Sequence, residues 1–338
     1  MNSSTEAFKT IGVIGGGAWG TALASLTASN AIETTLWARE PDVADAINTH
    51  HENTIFLPGM ALPESLKATS NLEEMATPEA LIFVVPSQFA RGVIADLKDV
   101  TANAQTPIAL CAKGIEQSSG LLMTEVIKEV WPEAKAAVLS GPSFAADVVK
   151  GLPTAVTLAA AETTLGEKWA KTIAAAHFRP YLSDDLLGTE LGGAVKNVLA
   201  IAAGTVTGLG FGDSARAALI ARGFAEFQRL GVALGARKET MAGLSGLGDL
   251  ILTAGSFQSR NMSLGAELGK GRSLKEILEE RQSVAEGVAT SKAVTAMAAC
   301  AGIEMPICTA VADLVESKKE LHEIVKELLS RPLKTENN

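Results

Sequence analysis

A glycine-rich turn near the N-terminus constrains the fold more than any other feature of this sequence. Residues 15–20 read GGGAWG, which fits G-x-G-x-x-G, and they separate a predicted strand at 10–14 from a predicted helix at 19–29. In that setting Gly15 permits a tight turn, Gly17 lets a pyrophosphate approach the backbone, and Gly20 lets helix and strand pack closely. The N–H groups at the helix N-terminus favour bound phosphate. The turn therefore predicts a dinucleotide-binding α/β domain, the alternative being an ordinary flexible loop.

The first half of the chain alternates strands with helices. Four short, almost continuous apolar runs are typical of parallel strands covered on both faces, and they span 34–37, 81–85, 107–112 and 136–140. Such alternation indicates a doubly wound Rossmann sheet. Two later runs, at 154–159 and 178–182, are predicted to add strands that complete the domain.

The second half has a different texture. Beyond about residue 187 the β-branched runs give way to Ala, Leu, Glu and Lys at helical spacing, as at 215–234, 284–301 and 306–317. A chain of 338 residues is long enough for two domains. We therefore predict a Rossmann domain over residues 8–188 and an all-α domain over residues 189–332.

Composition argues against several classes of function. The formal net charge is −9 and aromatic residues make up 4% of the chain, which disfavours nucleic acid and anionic membranes as partners. No uncharged apolar run reaches the roughly 18 residues that a membrane-spanning helix needs, and the polar N-terminus lacks a secretory pattern. Cys111, Cys300 and Cys308 form no C-x-x-C pair, so neither a disulfide framework nor a metal site is expected. These features predict a cytoplasmic protein.

The residues after the second strand are expected to contact the cofactor ribose. NAD enzymes usually place Asp or Glu there, whereas a cation accommodates the 2′-phosphate of NADP. This chain has Arg39 followed by Glu40. We predict NADP as the cofactor, with NAD also usable because Glu40 suits a 2′-hydroxyl. The alternative for Arg39 is a solvated surface side chain.

Lys196 is the residue that most strongly indicates catalysis. It lies in the run 191–204, which is apolar or glycine except for Lys196 and Asn197, and a helix that is apolar on every face is buried. Burial lowers the pKa of a lysine, and a second cation such as Lys113 would lower it further. A lysine that titrates near neutral pH can act as a general acid or base. The alternative is a lysine that reaches solvent from a helix end.

Two further segments follow predicted strands and suit an anionic ligand. Lys113 comes directly after 107–112, at the sheet edge where open α/β sheets bind ligands, although lysines are also common in surface loops. The segment SGPSFA contains Gly141 and Ser143, whose small size allows close approach by a ligand. Taken alone, this segment indicates a plain turn with an N-cap serine.

Polar residues in the second half extend the candidate site. Asp249 lies in a glycine-rich apolar turn, where it would either pair with the lysine or cap a helix. The run Ser259-Arg260-Asn261 offers three donors for a phosphate, or else forms a polar turn. Glu286, taken alone, indicates a cap or a first-turn acid.

Ten motifs in order make the chain resemble the bacterial NAD(P)-dependent sn-glycerol-3-phosphate dehydrogenases. The resemblance covers about residues 10–329, and the motifs are GGGAWGTA at 15–22, NTIFLPG at 53–59, VVPS at 84–87, AKG at 112–114, SGPSFA at 140–145, GLPTA at 151–155, LGGAVKNV at 191–198, GLGDL at 246–250, SRN at 259–261 and EMPI at 304–307. It implies a Rossmann domain followed by an all-α domain similar to that of 6-phosphogluconate dehydrogenase. The implied reaction is reduction of dihydroxyacetone phosphate to sn-glycerol 3-phosphate by NADPH or NADH, for glycerophospholipid synthesis, in a homodimer.

The same resemblance assigns roles to matching positions. Lys196 would donate and accept the proton. The substrate would contact Lys113, Gly141, Ser143, Lys196, Asp249, Ser259, Arg260 and Asn261. The cofactor would contact Gly15, Gly17, Ala18, Trp19, Gly20, Arg39, Lys113, Ala145, Arg260, Val284 and Glu286.

Two other functions remain compatible with the sequence. A related two-domain NADP-dependent dehydrogenase would act on another phosphorylated ketone or hydroxy acid, and the SRN run argues against a substrate without phosphate. A dinucleotide-sensing regulator would keep the glycine turn but would not need a buried Lys196. The sequence shows no basic arm or DNA-binding helix pair that such a regulator would use.

Overall fold

The computed structural model describes residues 5–280, 285–332 and 335, and its N-terminal half is built on one large sheet. The strands of this part of the chain are β1 (Thr10–Ile14), β2 (Glu33–Trp37), β3 (Glu52–Asn53), β4 (Leu57–Ala61), β5 (Lys67–Thr69), β6 (Ala80–Phe83), β7 (Pro107–Leu110), β8 (Lys135–Ser140), β9 (Thr154–Ala160) and β10 (Phe178–Ser183). Eight of them form a sheet in the order β10-β9-β8-β7-β6-β1-β2-β5, and β3 pairs with β4 in a separate hairpin.

Helices cover both faces of the large sheet. Those of the N-terminal half are α1 (Ala18–Ser29), α2 (Pro41–His50), α3 (Ser87–Val100), α4 (Met123–Val130), α5 (Ala145–Val149) and α6 (Thr163–Ile173), with a 3₁₀ turn at Leu72–Ala76. Successive side chains of β6 point to opposite faces: Ile82 packs with α1, α2 and α6, whereas Leu81 and Phe83 pack with α3 and α4. This arrangement confirms the predicted doubly wound α/β fold.

The sheet places the glycine turn at its topological switch point. The six strands from β5 to β8 in the sheet order run parallel, while β9 is antiparallel to β8 and parallel to β10. The carboxyl end of β1 lies between β2 and β6, because Gly15 N donates to the Trp37 carbonyl (2.9 Å) and Val84 N donates to the Ile14 carbonyl (2.8 Å). The crevice beyond this edge is where doubly wound sheets bind their ligands.

The described part of the second half is helical, as predicted. Its helices are α7 (Leu186–Gly208), α8 (Gly212–Leu234), α9 (Lys238–Ala242), α10 (Asp249–Gly255), α11 (Arg260–Gly269), α12 (Leu274–Glu279), α13 (Glu286–Cys300), α14 (Pro306–Val315) and α15 (Leu321–Leu329), with a π-helical turn at Leu244–Gly248. Helix α7 is the axis of this half, since its residues from Gly188 to Thr205 are buried.

Helix α7 is also long and apolar enough to cross a membrane, and it is the one described helix that meets both criteria. In this fold 89% of its most apolar window is buried inside the protein. The other helices of the second half therefore supply the apolar surroundings that a bilayer would otherwise provide, and α7 is a core helix.

Glycines allow α7 and α11 to pack at backbone contact. A Cβ atom on Gly204 would lie 2.1 Å from the Met262 carbonyl oxygen, and a Cβ atom on Gly265 would lie 2.0 Å from the Ile201 carbonyl oxygen. Because these obstructing atoms belong to the backbone, a side chain at either position must push the helices apart. This close packing fixes the helix that carries Lys196.

We expect Gly265→Ala to lower the free energy of unfolding by about 1–3 kcal/mol, as overpacked cores do. Gly92→Ala is the matched control, because Gly92 is exposed within α3 and a Cβ atom there meets nothing within 4 Å. It should raise the free energy of unfolding by roughly 0.5–1 kcal/mol through helix propensity. Urea unfolding of both variants checks this pair, and equal stability of Gly265→Ala and the parent would contradict the packing argument.

Candidate active site

The glycine turn has the geometry that a dinucleotide pyrophosphate requires. Gly15 adopts φ +120°, and a Cβ atom on Gly20 would lie 1.9 Å from the Gly15 carbonyl oxygen. A Cβ atom on Gly17 would meet nothing within 4 Å, so this side of the turn is open. Gly17 occupies the N-cap of α1 without a side-chain hydrogen bond, which leaves the first amides of the helix facing outward. The residues present therefore fit a bound phosphate group.

Asn53 stabilises this turn through side-chain hydrogen bonds. Its fully buried side chain donates to the Gly16 carbonyl oxygen and to Thr21 Oγ1, each at 2.8 Å, and its Oδ1 accepts from Phe56 N at 3.0 Å. The NTIFLPG motif thus contributes a support for the turn. Sequence reasoning did not identify Asn53, since a single Asn near a turn has many structural uses.

Two lysines share one buried carboxylate at the centre of the candidate site. Lys196 Nζ lies 2.7 Å from Asp249 Oδ1, and Lys113 Nζ lies 2.7 Å from Asp249 Oδ2. Asp249 is 1% exposed and Lys196 is 8% exposed. Lys196 comes from the middle of α7, Asp249 opens α10, and Lys113 follows β7. The cluster carries one net positive charge, which suits an anionic substrate.

Each lysine has a further hydrogen-bond acceptor. Lys196 Nζ donates to Thr253 Oγ1 at 2.8 Å, and Lys113 Nζ donates to the Gly141 carbonyl oxygen at 2.9 Å. Two of the three protons on Lys196 Nζ are thereby directed to Asp249 and Thr253, and the third is available for a substrate oxygen. Sequence reasoning missed Thr253, for which the one available signal is its position a helical turn after Asp249.

The surroundings tune the cluster for proton transfer. Burial lowers the pKa of Lys196 to about 8; the negative charge of Asp249 opposes this change and the positive charge of Lys113 adds to it. Burial raises the pKa of Asp249, but the two lysines outweigh it, so the pKa of that carboxyl lies below its ordinary value. Asp249 therefore stays ionised at neutral pH, whereas Lys196 gains or loses its proton at a pH close to neutral.

Two asparagine amides connect the elements around the lysines. Asn197 Nδ2 donates to the Lys113 carbonyl oxygen at 2.8 Å, and Asn261 Nδ2 donates to Asn197 Oδ1 at 2.9 Å. Asn261 Oδ1 in turn accepts from Gly287 N at 3.1 Å. This relay joins the strand end at Lys113 to α7, α11 and α13. The sequence marked Asn197 as one of two polar residues in an apolar run but assigned it no role.

The side chains of Ser259 and Asn261 in the SRN run form hydrogen bonds within the protein. Ser259 Oγ caps α11 by accepting from Met262 N at 3.2 Å, and Asn261 is tied into the asparagine relay. Ser259 still has its hydroxyl proton and Asn261 its second amide proton, while Arg260 is exposed at the start of α11. The run therefore lies at a helix N-terminus, where an anion is favoured.

The segment SGPSFA differs from its simplest interpretation. Gly141 adopts φ +151°, and a Cβ atom there would lie 2.9 Å from Val156 Cα. Ser143 Oγ donates to the Gly141 carbonyl oxygen at 3.0 Å, and Phe144 occupies the N-cap of α5. The interpretation of this segment as a turn with an N-cap serine is therefore wrong, because Phe144 occupies the N-cap and the Ser143 hydroxyl bonds to the turn that holds Lys113. Ala145 begins α5, which packs against α1 beside the glycine turn.

The remaining predicted cofactor residues that the structure describes lie at the starts of α1, α11 and α13 and after β2. Ala18 and Trp19 form the first turn of α1, while Arg39 is exposed after β2 and makes no hydrogen bond or ion pair among the described residues. Glu286 opens α13 as a first-turn acid, and its Oε1 accepts from Ser87 N of α3 at 3.3 Å. That bond links the two halves of the chain. Val284 lies outside the described residues.

Comparisons with known proteins agree along the whole chain. The family models described as the N-terminus and C-terminus of NAD-dependent glycerol-3-phosphate dehydrogenase match residues 10–165 and 185–326. A relative named glycerol-3-phosphate dehydrogenase (NAD(P)+) from Parvibaculum lavamentivorans is 56% identical over 98% of this chain and 99% of its own length. Its namesake from Rhodospirillum rubrum is 55% identical over 96% of this chain and 93% of its own length.

A solved structure extends the similarity to three dimensions. The crystal structure of glycerol-3-phosphate dehydrogenase from Coxiella burnetii is 38% identical, with a TM-score of 0.91 over 96% of this chain and 99% of that chain. Both family models, the full-length relatives and this fold point the same way. The chain belongs to the NAD-dependent glycerol-3-phosphate dehydrogenase family.

Proposed function

We propose that this chain catalyses the reversible reduction of dihydroxyacetone phosphate to sn-glycerol 3-phosphate with NADPH, and also with NADH. The observation that carries the proposal is the buried cluster in which Asp249 pairs with both Lys196 and Lys113. Membership of the family supports both the substrate and the nicotinamide cofactor. The product is a building block for glycerophospholipids.

The protein residues divide the chemistry between them. NADPH supplies the hydride when it is bound. Lys196 gives a proton to the ketone oxygen as negative charge develops there, and accepts it in the reverse direction. Lys113 stabilises the same developing charge, while Asp249 holds both ammonium groups in place. Thr253 fixes the direction of the Lys196 amine, since its Oγ1 lies 2.8 Å from Nζ.

The substrate phosphate fits the N-terminus of α11. Ser259, Arg260 and Asn261 supply a hydroxyl proton, a guanidinium group and an amide proton there, and the helix dipole favours an anion. A comparison of dihydroxyacetone phosphate with dihydroxyacetone tests this assignment. We expect NADPH oxidation with the phosphorylated ketone and little with the free one; equal rates would favour a dehydrogenase for another substrate class.

Cofactor preference is expected to depend on Arg39. Arg39→Ala should raise the KM for NADPH by about 10–100-fold, the value of a charge-assisted contact to the 2′-phosphate. The KM for NADH should not change, because NADH lacks that phosphate. Glu40→Ala is the reciprocal control, and it should raise the KM for NADH but not the KM for NADPH. Steady-state kinetics with both cofactors check this, and equal losses for both cofactors in Arg39→Ala would contradict it.

Three further properties belong to this proposal. The chain is a cytoplasmic enzyme and a homodimer, and its Rossmann and all-α domains extend over 8–188 and 189–332. Helix α7, the axis of the helical half, begins at Leu186, three residues before the second of these domains. Sedimentation equilibrium of the full chain tests the dimer, and a monomer at micromolar concentration would contradict it.

A further inference from the structure

Glu190 is a buried acid that the proposed chemistry does not use. It lies on α7 six residues before Lys196, it is 5% exposed, and its Oε1 accepts from Thr124 N at 3.0 Å. Its Oε2 accepts from Thr124 Oγ1. Thr124 belongs to the first turn of α4, so a side chain of the helical half caps a helix of the Rossmann half.

Glu190 and Asn197 occupy the same face of α7. They are seven residues apart, which is two helical turns and about 10.5 Å along the axis. Asn197 Nδ2 donates to the Lys113 carbonyl oxygen at 2.8 Å, while Glu190 accepts from Thr124. The two side chains therefore hold the two ends of the segment 113–124, which begins at the second lysine of the candidate site.

Apolar contacts hold the middle of that segment against the same helix. Ile115 and Leu122 are 0% and 3% exposed and belong to the apolar cluster of the helical half, together with Leu191 and Val195 of α7. The segment follows β7 in sequence but packs as part of the helical core. Helix α7 thus contacts both polar ends and the apolar middle. Helix α3 also holds the middle, because Gln88 Nε2 donates to the Ile115 carbonyl oxygen at 2.7 Å and Arg91 pairs with Glu116.

We propose that Glu190 is a positioning residue that sets the register of the Lys113 segment against the helix carrying Lys196. The proposal rests on the function proposed above, in which Lys113 contacts the substrate. Loss of the Glu190 carboxylate releases the α4 end of the segment, while Asn197 still holds the other end. Lys113 then moves relative to Asp249 and Lys196, and a misplacement of about 1 Å in such a site costs up to 10²-fold in rate.

Glu226 provides a matched control. It is also a buried acid in the helical half, 2% exposed, and it caps α14 by accepting from Ile307 N at 2.9 Å. Burial raises the pKa of both Glu190 and Glu226 to about 7. The hydrogen bonds of Glu226 go to Ile307 and Cys308 of α14 and not to the Lys113 segment, so it reproduces the structural role without the positioning role.

The test compares Glu190→Ala, Glu190→Gln and Glu226→Ala in the full-length chain. Glu190→Ala should lower kcat/KM for dihydroxyacetone phosphate by about 10–100-fold, and Glu190→Gln should restore most of it because the amide oxygen still accepts from Thr124. Since Lys113 lowers the pKa of Lys196, the high-pH decline of reduction should move to higher pH in Glu190→Ala. Glu226→Ala should lower the free energy of unfolding, but it should change neither kcat/KM nor the pH at which reduction declines.

Amide hydrogen exchange gives a readout that is independent of the substrate. Exchange in residues 113–124 should accelerate in Glu190→Ala and stay unchanged in Glu226→Ala. Absence of turnover in the parent would refute the proposed function. The exchange result would then decide by itself whether Glu190 positions the Lys113 segment. Unchanged exchange, or an unchanged pH profile with equal kinetic losses in both alanine variants, would overturn the positioning role.

Discussion

Replacement of Lys196 with Ala is expected to reduce turnover of dihydroxyacetone phosphate by roughly 10²–10⁴-fold, the usual contribution of a general acid. The fold should survive, because Asp249 keeps its ion pair with Lys113 at 2.7 Å and no buried charge loses its last partner. The affinity for NADPH should stay unchanged, since the glycine turn and Arg39 lie on other elements. Steady-state kinetics and NADPH fluorescence titration measure the two quantities.

Lys275→Ala controls for the loss of a lysine, since the Lys275 side chain is 86% exposed on α12. It should leave kcat and NADPH affinity at the parental values. Turnover by Lys196→Ala within a factor of a few of the parent would remove Lys196 from the mechanism. A dinucleotide-sensing regulator would instead bind NADPH and show no turnover in either protein, because it does not transfer a proton.

Asp249→Asn is expected to have the second large effect, on stability and on pH dependence together. Removing one partner of a buried ion pair costs about 3–5 kcal/mol, and here both lysines lose their shared anion. Without the attraction of Asp249, the pKa of Lys196 falls below its value of about 8. Less of the lysine is then protonated at neutral pH, and kcat for reduction should fall.

The sign of the pH effect follows from the direction of proton transfer. Reduction needs protonated Lys196, so its rate in the parent should decline as pH rises through about 8. Oxidation of sn-glycerol 3-phosphate needs the neutral amine, so its rate should rise over the same interval. In Asp249→Asn both transitions should move to lower pH, whereas Glu226→Gln, a buried acid on α8, should leave them in place. Unchanged transitions in Asp249→Asn would show that the carboxylate does not tune Lys196.

The strands that the sequence predicts are those with continuous apolar runs. Both faces of β1 and β6 are buried, and Val13, Ile82 and Phe83 are fully buried. By contrast β5 has three residues and an exposed lysine, Lys67, so its pattern does not distinguish it from a loop. Its place at the sheet edge comes from parallel pairing with β2, a contact that no local pattern records.

The site was predictable where charge conflicts with its surroundings. Lys196 stands in an apolar run, so its burial followed from the sequence, and its catalytic role stays a prediction. Its pairing with Asp249 was only one of two alternatives, because the two residues are 53 apart in a chain that contains many acids. The sequence did not predict roles for Thr253, Asn53 and Glu190. Short polar side chains and helical acids serve many structural roles in helices and turns, so their presence alone indicates none of these contacts.

The most direct test of the proposed activity follows the nicotinamide absorbance of NADPH after dihydroxyacetone phosphate is added to the purified chain. The structure predicts rapid oxidation with NADPH and slower oxidation with NADH, because Arg39 follows β2 where the 2′-phosphate is read. Comparable rates with the two cofactors would support the proposed reaction and contradict the preference for NADPH. No oxidation of either cofactor by folded protein that binds the dinucleotide would contradict the proposed reaction.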